Sequence, residues 1–280
     1  MDKRLSGNQA SQAAWNQRPV GSQRSRARPG ELEYFTDLRA YRYGYETPFI
    51  PSFFDFPSLR DKTVLELGVG NGIDAVEMAS FGAVYTGLDI TERHLILTRE
   101  YFRQRLGIEP RLWHGDLLER NIGERFDAIY SFGVLHHIEH ERMYLKRARE
   151  LLKSDGVLLI GVYSKFSFFN IYLLVSWIVF NRMCVPLDAW RSHVAELTDL
   201  HTPVPIRIRS RRVVEQLLHE TGFRVIRYAK RGFVQGYLPL IGAFFRPDGA
   251  VLSALGALLG WYHLFVCRAA PDEESSVRKS

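Results

Sequence analysis

The sequence predicts an α/β fold built around a parallel sheet, and three observations predict it. An apolar run, Val64-Leu65-Glu66-Leu67, passes directly into Gly68-Val69-Gly70-Asn71-Gly72, as a strand does when it turns sharply into a helix. A second apolar run, Tyr85-Thr86-Gly87-Leu88-Asp89-Ile90, carries an acid near its end. Alternating strand and helix patterns then continue to residue 163. Glycines let a ligand approach the backbone, and an acid closing the next strand can grip a ribose diol. The combination points to a nucleoside-containing cofactor at the carboxyl ends of the strands.

The elements follow in order. Thr91 can cap a helix with Leu95, Thr98, Phe102 and Leu106 on one stripe and Gly107 as its stop. A short strand leads into Trp113-His114-Gly115-Asp116. The next runs from Phe126 to Ser131 and enters Phe132-Gly133-Val134-Leu135-His136-His137-Ile138. A helix from Arg142 to Lys153 breaks at Ser154-Asp155-Gly156 before a strand over Val157–Val162. Ser210 can cap a helix with Val213, Val214, Leu217 and Leu218 inward and Gly222 at its end. Phe223–Tyr228 and Tyr262–Cys267 read as the last strands.

A dinucleotide fingerprint beginning at Gly68 would need glycine at position 73, and Ile73 stands there. The third glycine is Gly72, and Glu66 precedes the turn. A carboxylate there suits a cationic amine better than two phosphates. These motifs resemble the class I S-adenosylmethionine-dependent methyltransferases, in particular the ubiquinone/menaquinone-biosynthesis-like subgroup acting on small molecules. The resemblance is closest over residues 60–163. It implies a Rossmann-like three-layer sandwich with a seven-stranded, mostly parallel sheet in the order 3-2-1-4-5-7-6, the last strand antiparallel, with helical and apolar insertions.

The resemblance also implies roles. Glu66 holds the cofactor's amino group, Gly68, Gly70 and Gly72 pass beneath the methionine and ribose, and Asp89 accepts from the ribose hydroxyls. Ile90 packs on the adenine, Asp116 accepts from its amino group with Leu117 nearby, and Ser131 and Phe132 close the floor near the methyl. Asp89 can cap the helix near Thr91 as well. His136, His137 and His140 lie close together. That spacing can bind metal, but no third ligand is evident and the resemblance implies no metal. His137 is the candidate general base, with His136 and Tyr163 at the acceptor pocket; a purely structural role for either histidine stays open.

Of the +6 formal charge, residues 1–30 carry +5, so the basicity belongs to the tail and argues against a nucleic-acid partner. No zinc spacing or RNA-binding motif is present. Cys184 and Cys267, the only cysteines, suit a reducing cytoplasm. The polar composition of residues 1–30 predicts a disordered basic tail without the apolar core of a signal peptide, and residues 271–280 a second loose end. Residues 31–60 form an aromatic cap segment and residues 61–270 the methyltransferase domain, with insertions at about 165–209 and 232–260. The cap aromatics and the insertions are expected to build the acceptor pocket.

Residues 166–181 are uncharged and apolar but fall short of the roughly 20 residues a membrane-spanning helix needs. The run either packs over the cofactor domain or meets a lipophilic acceptor or a membrane surface. The Arg207–Arg212 cluster could meet anionic lipid or an acidic substrate, or be a solvated loop. Methyl transfer to a small, lipophilic acceptor is the leading function. An inactive S-adenosylmethionine-binding accessory protein and a nicotinamide-dependent dehydrogenase are the alternatives.

Overall fold

The computed structural model describes residues 7–198, 200 and 203–270. One seven-stranded sheet organises the chain: β1 (Thr63–Leu67), β2 (Val84–Asp89), β3 (Arg111–His114), β4 (Phe126–Phe132), β5 (Leu152–Tyr163), β6 (Phe223–Arg231) and β7 (Tyr262–Ala269). Their spatial order is β3-β2-β1-β4-β5-β7-β6, and β7 runs antiparallel to both of its neighbours. Order and direction are those the resemblance implies. The carboxyl ends of β1 to β5 therefore share one edge, where β7 also begins: Tyr163 pairs with Tyr262.

Helices cover both faces. On one, α4 (Ile73–Ser80) and α5 (Glu92–Leu106) pack with the cap segment, which contains α2 (Leu32–Tyr41) and the short α3 (Ile50–Phe53). On the other, α6 (Glu141–Glu150) and α9 (Arg211–Glu220) close a second core. Helix α5 buries Leu95, Thr98 and Phe102 and ends at Gly107, whose positive φ of 68° reverses the chain. Thr91 stands at its N-cap without a side-chain bond; Asp89 accepts the Thr91 N–H instead, at 2.7 Å. In α9, Val214, Leu217 and Leu218 are buried, while Val213 faces solvent rather than the core.

Helix α6 stops at Glu150, before the expected Lys153. Strand β5 begins early because Leu152 pairs with Phe126; the exposed stretch 153–155 is accommodated by a register shift before Ala128 meets Val157.

The N-terminal tail corrects the largest expectation. Residues from Gly7 onward are not disordered: α1 (Gly7–Gln17) and a 3-10 turn (Ser22–Arg24) lie across the carboxyl edge of the sheet. Composition misleads here because the segment is held by polar contacts and a few anchors, notably Ser11 and Trp15, rather than by an apolar stripe. The expected loose end at 271–280 lies outside the described residues.

The cap aromatics divide by role. Tyr34, Phe35, Phe49, Phe54 and Phe56 are core residues, each stabilising the fold by about 1.5–3 kcal/mol through burial. Only Tyr41 and Tyr45 of that segment's aromatics reach the cavity described below. Insert helices α7 (Phe168–Val179) and α8 (Leu187–Glu196), with α10 (Ala250–Leu259), complete the fold. Among the described residues no helix is long and apolar enough to cross a membrane.

Candidate active site

A cavity of about 500 Å³ opens along the carboxyl edge of the sheet, within the range of small-molecule sites. Ten predicted residues line it: Glu66, Gly68, Gly70, Asp89, Ile90, Asp116, Leu117, Phe132, His137 and Tyr163. Three others do not. Gly72 has a positive φ of 77°, and a Cβ there would strike Thr98 at 2.9 Å, so it lets α4 and α5 approach closely. Ser131 is buried and donates to the Leu67 carbonyl at 3.3 Å. His136 stacks behind Tyr163, with ring centroids 3.7 Å apart.

At one end the strand-end loops converge. Gly68 takes φ 83°, and a Cβ would lie 2.3 Å from Val134, so only glycine fits this turn. Asp89 is fixed by N–H groups of Thr91 and Gly70 and by His94 Nδ1 at 3.3 Å. Burial pushes its carboxyl up, but His94 and those N–H groups outweigh burial and hold it below the usual carboxylate range. Glu66 receives the Tyr85 hydroxyl at 2.6 Å. Burial, with the Asp74 charge next, raises Glu66 well above its ordinary value. Asp116 accepts the Leu118 N–H at 2.8 Å.

An anchor not singled out by the motifs stands behind these. Arg42 binds Asp74 through Nε, at 2.7 Å, and through Nη2. Tyr43 and Tyr130 also donate to Asp74, at 2.6 and 2.7 Å. Asp74 follows the glycine turn by two residues, so this network ties the cap segment to the start of α4. Asp89, held by the Gly70 N–H and flanked by Ile90 and Leu117, makes a polar-and-apolar cradle that fits an adenosine moiety.

The other end centres on His137. Its Nδ1 meets the Pro205 carbonyl at 2.7 Å. A carbonyl only accepts, so Nδ1 carries the proton and Nε2 keeps its lone pair. Nε2 lies 3.6 Å from Glu196 Oε1, which also accepts the Tyr163 hydroxyl at 2.7 Å. Burial lowers His137 below the ordinary histidine value, partly opposed by Glu196. Glu196 comes from the end of α8, 33 residues beyond Tyr163. No local spacing signals it; its only sequence clue is an acid within the inserted segment. It also supplies the third donor that the histidines lack in sequence: His136, His137 and Glu196 each bring a ligand atom within 4.8 Å of the others.

The N-terminal segment roofs both ends. Gln12 donates to the Ile90 carbonyl at 2.6 Å, Asn71 donates to the Val20 carbonyl, and the Val20 N–H reaches His94 Nε2 at 3.4 Å. Trp15 meets His137 edge-on at 5.0 Å. The arginine cluster is largely used internally. Arg207 donates to the Ile138 carbonyl, Arg209 binds Glu141, and Arg211 pairs with Glu215.

This sheet order, with acids and glycines at the ends of β1 to β3, defines a class I S-adenosylmethionine-dependent methyltransferase domain. The methyltransferase domain family matches residues 38–228, and the chain belongs to that family. A ubiquinone biosynthesis O-methyltransferase from Dinoroseobacter shibae is 30% identical over 138 residues, 49% of this chain and 53% of the relative. The chain spans about half the length of the curated relatives it matches. Among solved structures, magnesium protoporphyrin IX methyltransferase from Synechocystis PCC 6803 with bound SAM is similar, with TM-score 0.59 and 12% identity. That match covers 96% of this chain and all of that one. An O-methyltransferase from neocarzinostatin biosynthesis, in complex with S-adenosylmethionine and 2-hydroxy-5-methyl naphthoic acid, gives TM-score 0.53 at 13% identity. It covers 85% of this chain and 57% of that one. These structural likenesses show a shared fold.

Proposed function

We propose that this chain methylates a hydroxyl of a small, lipophilic acceptor, with His137 as general base and no metal in the reaction. One observation carries the reading: a single cavity joins the Glu66–Asp89–Asp116 array to the His137–Glu196 pair. When bound, S-adenosylmethionine supplies an electrophilic sulfonium methyl group. Glu66 takes its amino group, Asp89 its ribose hydroxyls and Asp116 its adenine amino group. Phe132 walls the chamber between the two ends. His137 Nε2 receives the proton of the attacking hydroxyl, Glu196 steadies the resulting imidazolium, and Tyr163 holds Glu196 in place. Alignment in a water-poor site supplies up to roughly 7–11 kcal/mol. The O-methyltransferase names among the relatives support oxygen as the methylated atom.

The lipophilic character of the acceptor rests on α7. Its buried positions are Asn170, Leu173 and Ser176, whereas Ile171, Tyr172, Val175, Ile178 and Val179 face outward. Two of the three buried positions are polar and the outward face is apolar, a departure from the usual soluble pattern. Leu240, Ile241, Phe244 and Leu258 are also exposed. Lys230 binds the carbonyls of both Phe166 and Leu258, joining the start of α7 to the end of α10. Phe169 on α7 turns into the cavity. The acceptor thus enters beside an apolar surface that, with Lys165 and Arg182, suits an anionic membrane on the cytoplasmic side.

The test is turnover: purified protein, S-adenosylmethionine and a panel of phenols and quinols, with S-adenosylhomocysteine and methylated product read by mass. The reading fails if the protein binds no S-adenosylmethionine at millimolar concentration. Cofactor binding without turnover on any acceptor would support the accessory-protein alternative. Flotation with phosphatidylglycerol vesicles, lost in Ile178→Glu, checks the membrane contact.

A second reading uses the same atoms. Neither ring nitrogen of His136 has a hydrogen-bond partner among the described residues, although the side chain is 1% exposed. A divalent cation held by His136, His137 and Glu196 would satisfy it. Turnover unchanged by a chelator supports the base; turnover lost to the chelator and restored by a divalent cation supports the cation.

A further inference from the structure

Six carboxylates line the cavity: Glu46, Glu66, Asp74, Asp89, Asp116 and Glu196. Five are held by donors from the protein: Tyr85 on Glu66, Arg42 with two tyrosines on Asp74, two N–H groups on Asp89, Leu118 N–H on Asp116 and Tyr163 on Glu196. Glu46 is different. Among the described residues no hydrogen-bond donor reaches its carboxylate; the cations that act on it are Arg42, whose Nη1 stands 4.0 Å away, and Arg24. The other guanidinium nitrogens of Arg42 are spent on Asp74. The Glu46 side chain is 36% exposed, against 3% for Glu66 and 7% for Glu196.

Its surroundings are aromatic. Tyr41, Tyr45, Tyr237 and Tyr262 line the same part of the cavity. Burial, with the Glu46 charge next, pushes the Tyr41 hydroxyl up to about 12. The Glu46 carboxylate is open to solvent and not committed to a protein donor, so a donor on an entering ligand can bind it without displacing an internal bond. Ring faces also favour a cation, and the Arg24 guanidinium already lies 4.2 Å from the centre of the Tyr41 ring.

We propose that Glu46 anchors the acceptor by taking a hydrogen-bond-donating group, an ammonium or a hydroxyl, distinct from the hydroxyl presented to His137. The acceptor is therefore a ring compound with a second, donor-bearing substituent. This deepens the methyl-transfer reading and rests on it.

The experiment uses the full chain loaded with S-adenosylhomocysteine. Dopamine, 4-(2-hydroxyethyl)catechol and 4-ethylcatechol share one ring and differ in the substituent: ammonium, hydroxyl or no donor. Calorimetry on the wild type is expected to rank at least one donor-bearing probe about 10-fold or more above 4-ethylcatechol, the margin of a charge-assisted hydrogen bond. A lead for dopamine assigns the ammonium; a lead for the alcohol assigns the hydroxyl. In Glu46→Gln the ammonium margin disappears or the hydroxyl margin shrinks, while the affinity for S-adenosylhomocysteine and the melting temperature stay unchanged. Equal affinities for the three probes, absence of any probe binding, or the same ranking in the variant overturns the proposal. A variant that folds but loses S-adenosylhomocysteine overturns it too, by assigning Glu46 to the cofactor. Wild-type protein that never binds S-adenosylhomocysteine fails the underlying reading instead.

Discussion

At the end of the cavity proposed for the cofactor, Glu66, Gly68, Gly70, Asp89, Ile90, Asp116 and Leu117 all sit on β1 to β3 or within three residues past their ends. The end proposed for the acceptor draws Trp15 from α1, Tyr41 from α2, Glu196 from α8 and Tyr262 from β7. The first end is set by local backbone geometry, since a parallel strand delivers its last residues to the same edge each time. The second is set by how distant segments pack. Chemistry at a strand end is therefore readable from short motifs, whereas a chamber assembled from four separate segments is not.

If the two ends divide the work, substitutions at each should move different quantities. The largest expected effect is His137→Ala, lowering kcat by about 10²–10⁴-fold with cofactor affinity unchanged; steady-state kinetics beside calorimetry checks both. Glu196→Gln should cost less, about 10-fold in kcat, because it orients the base and does not take the proton itself.

Asp89→Ala should do the reverse, weakening S-adenosylmethionine by about 2–4 kcal/mol in calorimetry, since hydrogen bonds to a charged group are worth ~1.5–3 kcal/mol each. An unchanged affinity would remove Asp89 from the site. Trp15→Ala is designed to break the partition: its ring touches His137 at one end and approaches His94, the partner of Asp89, at 6.4 Å. Both KM values should rise, each by a few-fold. A rise in only one would assign the roof to that end.

The smallest expected effect concerns pH. Burial, and then His137, holds His136 well below the ordinary histidine value of 6.5. The unfolded chain therefore takes up the proton first. Stability is fully present above about pH 6.5 and falls as pH drops toward the depressed folded value. Melting temperatures between pH 8 and 5 should show this loss, and His136→Phe should reduce it.

The same contrast governs what the sequence reveals. The sheet order and the strand-end residues that line the cavity are legible because Gly68, Asp89 and Asp116 mark strand ends. Gly72 matches its motif yet serves helix packing against Thr98, a distinction only tertiary contacts make. Glu196 and Glu46 carry no motif, and their meaning comes from what surrounds them. The order in residues 7–24 is hidden for another reason: a polar segment is expected to be loose unless a partner satisfies its groups, and here the partner is the cofactor end of the cavity.

That N-terminal roof makes one segment common to both ends of the cavity. Its bonds to Ile90, Asn71 and His94 land on the loops after β1 and β2 and on the start of α5, while its Trp15 ring meets His137. A change in residues 11–24 is therefore felt at both ends at once.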